Sequence, residues 1–191
     1  MRADSTGSET PGRTKAALPA TSDHGARARF AILFTVIAVV ASFAYYFPYP
    51  AGSTADVIMA SYLHAYVQCA GAILHFFDPT VVVSGLEVHG RFSFRITRDC
   101  DGMQLNILFA AAVLSFPARW SHRLAGLAAG IAFFVLLNLI RLCSLYFVGL
   151  YAPGAFDFAH REMWPVVFVL AALGAFVTWA ARLPRTTAAP A

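Results

Sequence analysis

VIMASYLHAYVQCAGAILHFF, residues 57–77, is long enough to cross a bilayer, and whether it crosses sets the sidedness of everything after it. At about 100° per residue, Ser61, His64, Gln68 and His75 fall within about 60° of one another, forming a narrow polar stripe on an apolar helix. Such a helix suits the membrane interface, lying in the bilayer plane with its stripe toward water or protein. The alternative is a fifth span whose stripe packs inward.

The rest of the chain sets that choice in a membrane. Of its 191 residues, 59% are hydrophobic and 13% charged. The mean hydropathy is +0.63. A soluble domain of this size could not cover so much apolar surface, so lipid is the solvent for most of it. The net charge of +4 is spread over tail and loops without basic-aromatic interleaving, which argues against nucleic acid as a partner. Cys69, Cys100 and Cys143 show no CxxC spacing, so neither a disulfide framework nor a metal site is indicated. No phosphate loop, dinucleotide fingerprint or HExxH is present, and no cofactor is expected.

Residues 1–27 are rich in Ser, Thr, Ala, Gly and Pro and read as a disordered tail. Residues 28–185 form a single membrane-embedded domain, and 186–191 a short C-terminal tail. Arg27 and Arg29 precede the apolar run 30–47, which ends at Tyr45, Tyr46 and Tyr49 and lacks a cleavage site, so it reads as a retained first span. Three further segments, about 102–118, 124–150 and 163–181, are read as spans. Arg119 and Arg123 in one link, and Arg182 and Arg185 after the last helix, put that link and the end of the last helix in the cytoplasm by the positive-inside rule, and Cys100 on the outer face. The expected fold is all-α and polytopic: four transmembrane helices, one interfacial helix and a small β-hairpin on the outer face. The hairpin falls in 80–99, with strands at 81–83 and 91–97. Arg91, Ser93 and Arg95 share one face of its second strand. With Arg98 they are either a solvated polar face or a substrate-binding surface.

TRDCDGMQLN, residues 97–106, places a thiol among carboxylates where polar sequence gives way to apolar. Asp101 followed by Gln104 matches a capping box, which sets Cys100 beside the unsatisfied amides of a helix start. Helix N-termini favour thiolate, whereas Asp99 and Asp101 oppose it, so a nearby cation is needed. Asn138 and Arg141 lie three residues apart on one face of an apolar helix. An intramembrane arginine is a functional candidate by default. Arg141 lies about 26 Å along its helix from Leu124, near the outer edge of a ~30 Å core, the depth of Cys100. His160 precedes the last span at the same face. A nucleophile, a cation and a base thus converge from three helix ends.

Cys-Asp-Gly at 100–102, Asn-Leu-Ile-Arg at 138–141 and the pre-helix His160 resemble the ordered Cys-x-Gly, Asn-x-x-Arg and His signatures of the exosortase/archaeosortase family, and the chain is similar to compact forms such as exosortase H. The resemblance covers about residues 97–165. It implies a cysteine transpeptidase of the bacterial inner membrane. Its partners would be exported proteins with a C-terminal sorting signal: a short motif, a transmembrane helix and a basic end. Gly102 belongs to the first signature and Asn138 to the second.

The chemistry can be argued beside that likeness. Cys100 would attack a peptide carbonyl and form a thioester. His160 would take the thiol proton and return it to the leaving amine. Asp157 would orient His160 or cap a helix. Arg141 would stabilise the thiolate or the oxyanion. Two other classes stay open. One is a haem redox protein, although His64 and His75 are about 16 Å apart along one helix and cannot share an iron. The other is a non-catalytic scaffold.

Overall fold

The computed structural model describes residues 21–98 and 100–184. The expected tail over 1–20, the carboxylate of Asp99, Arg185 and the tail 186–191 lie outside the described residues. The chain folds as helices α1 (Thr21–Tyr46) and α2 (Thr54–Phe77), strands β1 (Val82–Ser84), β2 (Glu87–His89) and β3 (Phe94–Arg95), then α3 (Met103–Ser115), α4 (Trp120–Tyr151) and α5 (Trp164–Ala181). This is an all-α polytopic membrane protein with a small sheet. Helix α1 begins at Thr21, so residues 21–27 of the expected tail are helical.

The ends of the helices follow local chemistry. Ser53 caps α2 by accepting the Asp56 N–H at 3.2 Å. Pro79 lies beyond its last turn. Pro117 forces Phe116 into an extended conformation (φ −75°, ψ 138°), and α3 stops there after 13 residues. Pro153 likewise follows the end of α4.

Length and composition alone qualify His24–Tyr46, Thr54–Phe77, Trp120–Tyr151 and Pro153–Ala181 as able to cross, while Met103–Ser115 is shorter. The expected set held 102–118 in place of 57–77. The directions of the helices decide between them. Tyr45 of α1 hydrogen-bonds Asp101 just before α3, and Phe30 of α1 packs on Phe116 at its far end, so α1 and α3 are antiparallel. Helix α4 runs back along α3, with Phe134 on Phe109, and α5 runs back along α4, with Trp164 on Ser144 and Trp179 on the His122 carbonyl. Helix α2 sets Tyr66 against Val135 and Phe77 against Phe147, so it advances in the same sense as α4 and α1. A span that follows α1 directly must run opposite to it. Helix α2 does not, and so it stays at the end of the bundle where α1 finishes. Helix α3, although short, accompanies α1 from Tyr45 to Phe30, about 23 Å of helix and most of a ~30 Å core. The stripe of Ser61, His64, Gln68 and His75 is exposed, while Leu63, Tyr66, Val67, Ala70 and Leu74 are buried. The inward-packed alternative is therefore excluded.

The expected hairpin is a three-stranded antiparallel sheet in the order β1-β2-β3. Sequence reading took residues 84–90 as turn. Instead Gly85, at φ +61°, turns the chain over two residues, pairing Ser84 with Glu87 so that Glu87–His89 becomes the central strand. The alternation expected across 91–97 holds, with Arg91, Ser93, Arg95 and Thr97 exposed and Ile96 fully buried. Val81, Val88 and Ile96 pack between Val67 and Leu74 of α2 and Leu142 and Tyr146 of α4. The sheet thereby covers the end of the bundle where Cys100 lies.

Candidate active site

Helix α4 carries Asn138 and Arg141 one turn apart on its inward face, 1% and 7% exposed respectively. The Asn138 amide spends both donors: Nδ2 donates at 2.9 Å to the Cys100 carbonyl and at 2.9 Å to the Tyr66 hydroxyl of α2. Its Oδ1 accepts from Arg141 Nη1 at 3.4 Å. One side chain thus ties the Cys100 segment, α2 and Arg141 together. Gly102 permits this approach for two reasons. Its φ is +73°, and an added Cβ would lie 3.0 Å from Asn138 Cγ.

The capping box expected from Asp101 and Gln104 does not form. The N-cap of α3 is Gly102 in a left-handed conformation. Gln104 instead accepts from Ser42 of α1 at 3.2 Å. Asp101 is 1% exposed, accepts the Met103 N–H at 2.8 Å, and takes the Tyr45 hydroxyl. These bonds hold its carboxylate to α1 and to the first turn of α3. The amide of Cys100 donates to the Thr97 carbonyl at 2.9 Å, and the Thr97 hydroxyl lies 3.6 Å from the Cys100 sulfur.

Arg141 is held by packing. Its guanidinium lies 5.5 Å over the Phe168 ring of α5. The Ser144 hydroxyl donates to the Arg141 carbonyl at 2.8 Å and accepts from Trp164 Nε1 at 3.1 Å, which pins the start of α5 to this turn. An arginine this buried and packed on protein does not snorkel to lipid headgroups. Its Nε is buried without a hydrogen-bond partner among the described residues. The guanidinium therefore carries a donor that no described residue accepts.

His160 lies in a π-helical turn, Ala159–Met163, between the end of α4 and α5. Such turns recur at functional positions. Its ring stacks on Phe156, with centroids 5.8 Å apart and planes at 29°. Cys100, Arg141 and His160 line one cavity of ≈ 90 Å³, walled by Phe92, Phe94, Leu145 and Phe156. Asp157 is exposed, and its carboxylate lies 3.9 Å from Arg161. The same cavity takes in Arg95, whose Nε donates to Glu87 at 2.8 Å. Arg91 lies 5.9 Å over the Tyr151 ring, and Arg98 reaches the Phe47 carbonyl.

Tyr45, Tyr66, Thr97 and Phe168 are contacts that motif reading missed. Only Thr97, three residues before the cysteine, lay near enough in sequence to be noticed.

The chain matches the family model for the transmembrane exosortase (Exosortase_EpsH) over residues 24–178. It belongs to that family, and the match extends well beyond the motif region. No curated protein and no solved structure matches the chain.

Proposed function

We propose that this exosortase is a membrane cysteine transpeptidase that cleaves C-terminal sorting signals through a thioester on Cys100. The observation that carries this reading is the single cavity lined by Cys100, Arg141 and His160, which come from three separate segments. Cys100 Sγ attacks the peptide carbonyl, and His160 accepts the thiol proton. The guanidinium of Arg141 donates to the oxyanion that develops, in surroundings of low dielectric. Collapse of the tetrahedral intermediate breaks the C–N bond, and His160 returns the proton to the leaving amine. A second nucleophile, an amine or water, then releases the acyl group from sulfur. Gly102 and Asn138 position the attacking segment.

The arginines Arg119, Arg123 and Arg182 support a cytoplasmic location for the opposite end of the bundle and an outward-facing Cys100 in the bacterial inner membrane. A membrane-impermeant thiol reagent tests this in a Cys69→Ser, Cys143→Ser background on intact spheroplasts. Cys100 should label, and Ser121→Cys, added with Cys100→Ser, should not. The reverse pattern would overturn the orientation.

The test of function is co-expression with a tagged membrane protein bearing a C-terminal sorting signal. Cys100→Ser should abolish conversion to the shortened form at unchanged enzyme abundance, because a hydroxyl ionises far less than a thiol. Cys143→Ser should process normally. Normal processing by Cys100→Ser would end the cysteine-peptidase reading.

A further inference from the structure

At the end of the bundle away from Cys100, a groove of ≈ 530 Å³ opens between α4 and α5. That volume falls in the range of ligand sites, about 300–1,000 Å³. Its walls are Gly126, Ala129 and Gly130 of α4 and Gly174 and Ala175 of α5, with the Phe109 ring of α3 among the lining groups. Along α4 it extends from His122 to Phe133, about 17 Å of helix. Its mouth is basic. His122 and Arg182 line it, and a second cavity of ≈ 580 Å³ shares His122 and adds Arg119 and Arg123.

No carboxylate lines either space. Among the described residues, the salt bridges engage Glu87 and Asp157, not these arginines. Arg123 lies 5.0 Å over the Trp120 ring, and its Nε is shielded from solvent without a hydrogen-bond partner among the described residues. Three arginines thus stand around an apolar slot with no anion among the described residues paired to them. The slot is open to lipid on a transmembrane bundle.

We propose that this groove is a binding site for one anionic phospholipid. The phosphate sits among Arg119, Arg123 and Arg182, and an acyl chain runs up the slot beside Ala129 and Gly174. Charge selects this occupant over the alternatives. A transmembrane helix followed by basic residues would bring like charge to the rim. A zwitterionic lipid would bring a cation as well as a phosphate. Gly174 leaves open space for a flexible chain, while the Trp179 and Phe109 rings, seated on Gly126 and Gly130, form walls of the slot. The site is separate from the Cys100 cavity and does not depend on the peptidase reading.

The experiment is native mass spectrometry of the full chain, purified in detergent and supplied with equimolar phosphatidylglycerol and phosphatidylcholine. Each arginine near a phosphate is expected to contribute roughly a fivefold preference. Wild type should therefore retain one phosphatidylglycerol per chain with at least a roughly tenfold preference, a cautious bound on three such residues. Arg119→Gln, Arg123→Gln and Arg182→Gln combined should abolish the preference. Gly174→Leu should expel the lipid whatever its headgroup. An added Cβ at Gly174 meets nothing within 4 Å, so this variant fills the slot without disturbing the helix. Unchanged helicity by circular dichroism serves as the control for folding. Equal retention of the two lipids by wild type would overturn the proposal, as would full retention by Gly174→Leu. A stable dimer that carries no lipid would assign the groove to a second copy of the chain instead.

Discussion

The Asn138 side-chain amide of α4 donates to the backbone carbonyl of Cys100 at 2.9 Å, across 38 residues of sequence. The Cys100 segment is therefore fixed by a helix 38 residues further along the chain. Aspartate at this position keeps an acceptor for Arg141 but loses both donors. It also brings a negative charge against the guanidinium that the oxyanion would need.

Asn138→Asp should accumulate normally and process substrate at least about tenfold more slowly. Orphaning one buried acceptor costs ~1–3 kcal/mol, and ~1.4 kcal/mol is a factor of ten. The ratio of cleaved to full-length substrate over time, normalised to enzyme abundance, is the measurement. Wild-type kinetics would show that the amide does not hold the site.

Arg141→Lys separates charge from geometry. Lysine keeps the cation but replaces a planar fork of five donors with a compact ammonium. It also loses the guanidinium contact over the Phe168 ring. Removal of one oxyanion donor typically costs about 10²–10³ in rate. The lysine variant should be at least about tenfold slower, and Arg141→Ala slower still. Equal rates for arginine and lysine would reduce the role of Arg141 to charge alone.

Tyr45→Phe tests the clamp from α1. The ring keeps its edge contact with Tyr46 at 5.0 Å, but buried Asp101 loses a donor. A stability loss of about 1–3 kcal/mol is expected. It would be read as a thermal unfolding midpoint lowered by several degrees in detergent. Asp101→Asn, which keeps one oxygen for the Met103 amide and turns its Nδ2 donor toward the Tyr45 hydroxyl oxygen, should lose less. An unchanged midpoint for Tyr45→Phe would mean that water replaces the hydroxyl and that α1 is not clamped here.

Asp78 makes the sheet end sensitive to acid. Its carboxylate accepts from the Tyr146 hydroxyl at 2.6 Å and the Thr80 hydroxyl at 2.7 Å, and these bonds hold it below the usual range for an aspartate. The folded state therefore binds this proton less readily than the unfolded chain, whose aspartates titrate near about 3.9. The stabilisation is complete above that value and is lost as pH falls through it toward the folded one. Midpoints measured from about pH 6 to about pH 3 should fall more steeply for wild type than for Asp78→Asn, and the two should converge at the acid end. Glu87, held low by Arg95, contributes equally to both proteins. Parallel curves would refute the assignment to Asp78.

The sequence by itself determined the membrane class, because composition fixes the solvent a chain can tolerate. It also determined most helix positions. Pro79, Pro117 and Pro153 sit just beyond helices and end them through local sterics. The candidate residues Cys100, Gly102, Asn138, Arg141 and His160 were legible too. A thiol at a polar-apolar boundary and an arginine in an apolar run are costly in any fold, and so they stand out before the fold is known.

Only the tertiary structure decided the rest. Asp101 reads as a helix cap, yet it answers to Tyr45, a residue 56 positions away. Asp157 reads as an orienter of His160 or a helix cap, and only the fold shows its exposed carboxylate 3.9 Å from Arg161. The central strand became a strand because Gly85 turned it onto β1. The course of α2 was fixed by Tyr66 and Phe77 meeting α4 in one direction. A polar stripe fixes which face of a helix is wet. Only packing against a neighbour fixes which way the helix runs, because periodicity carries no information about the partner.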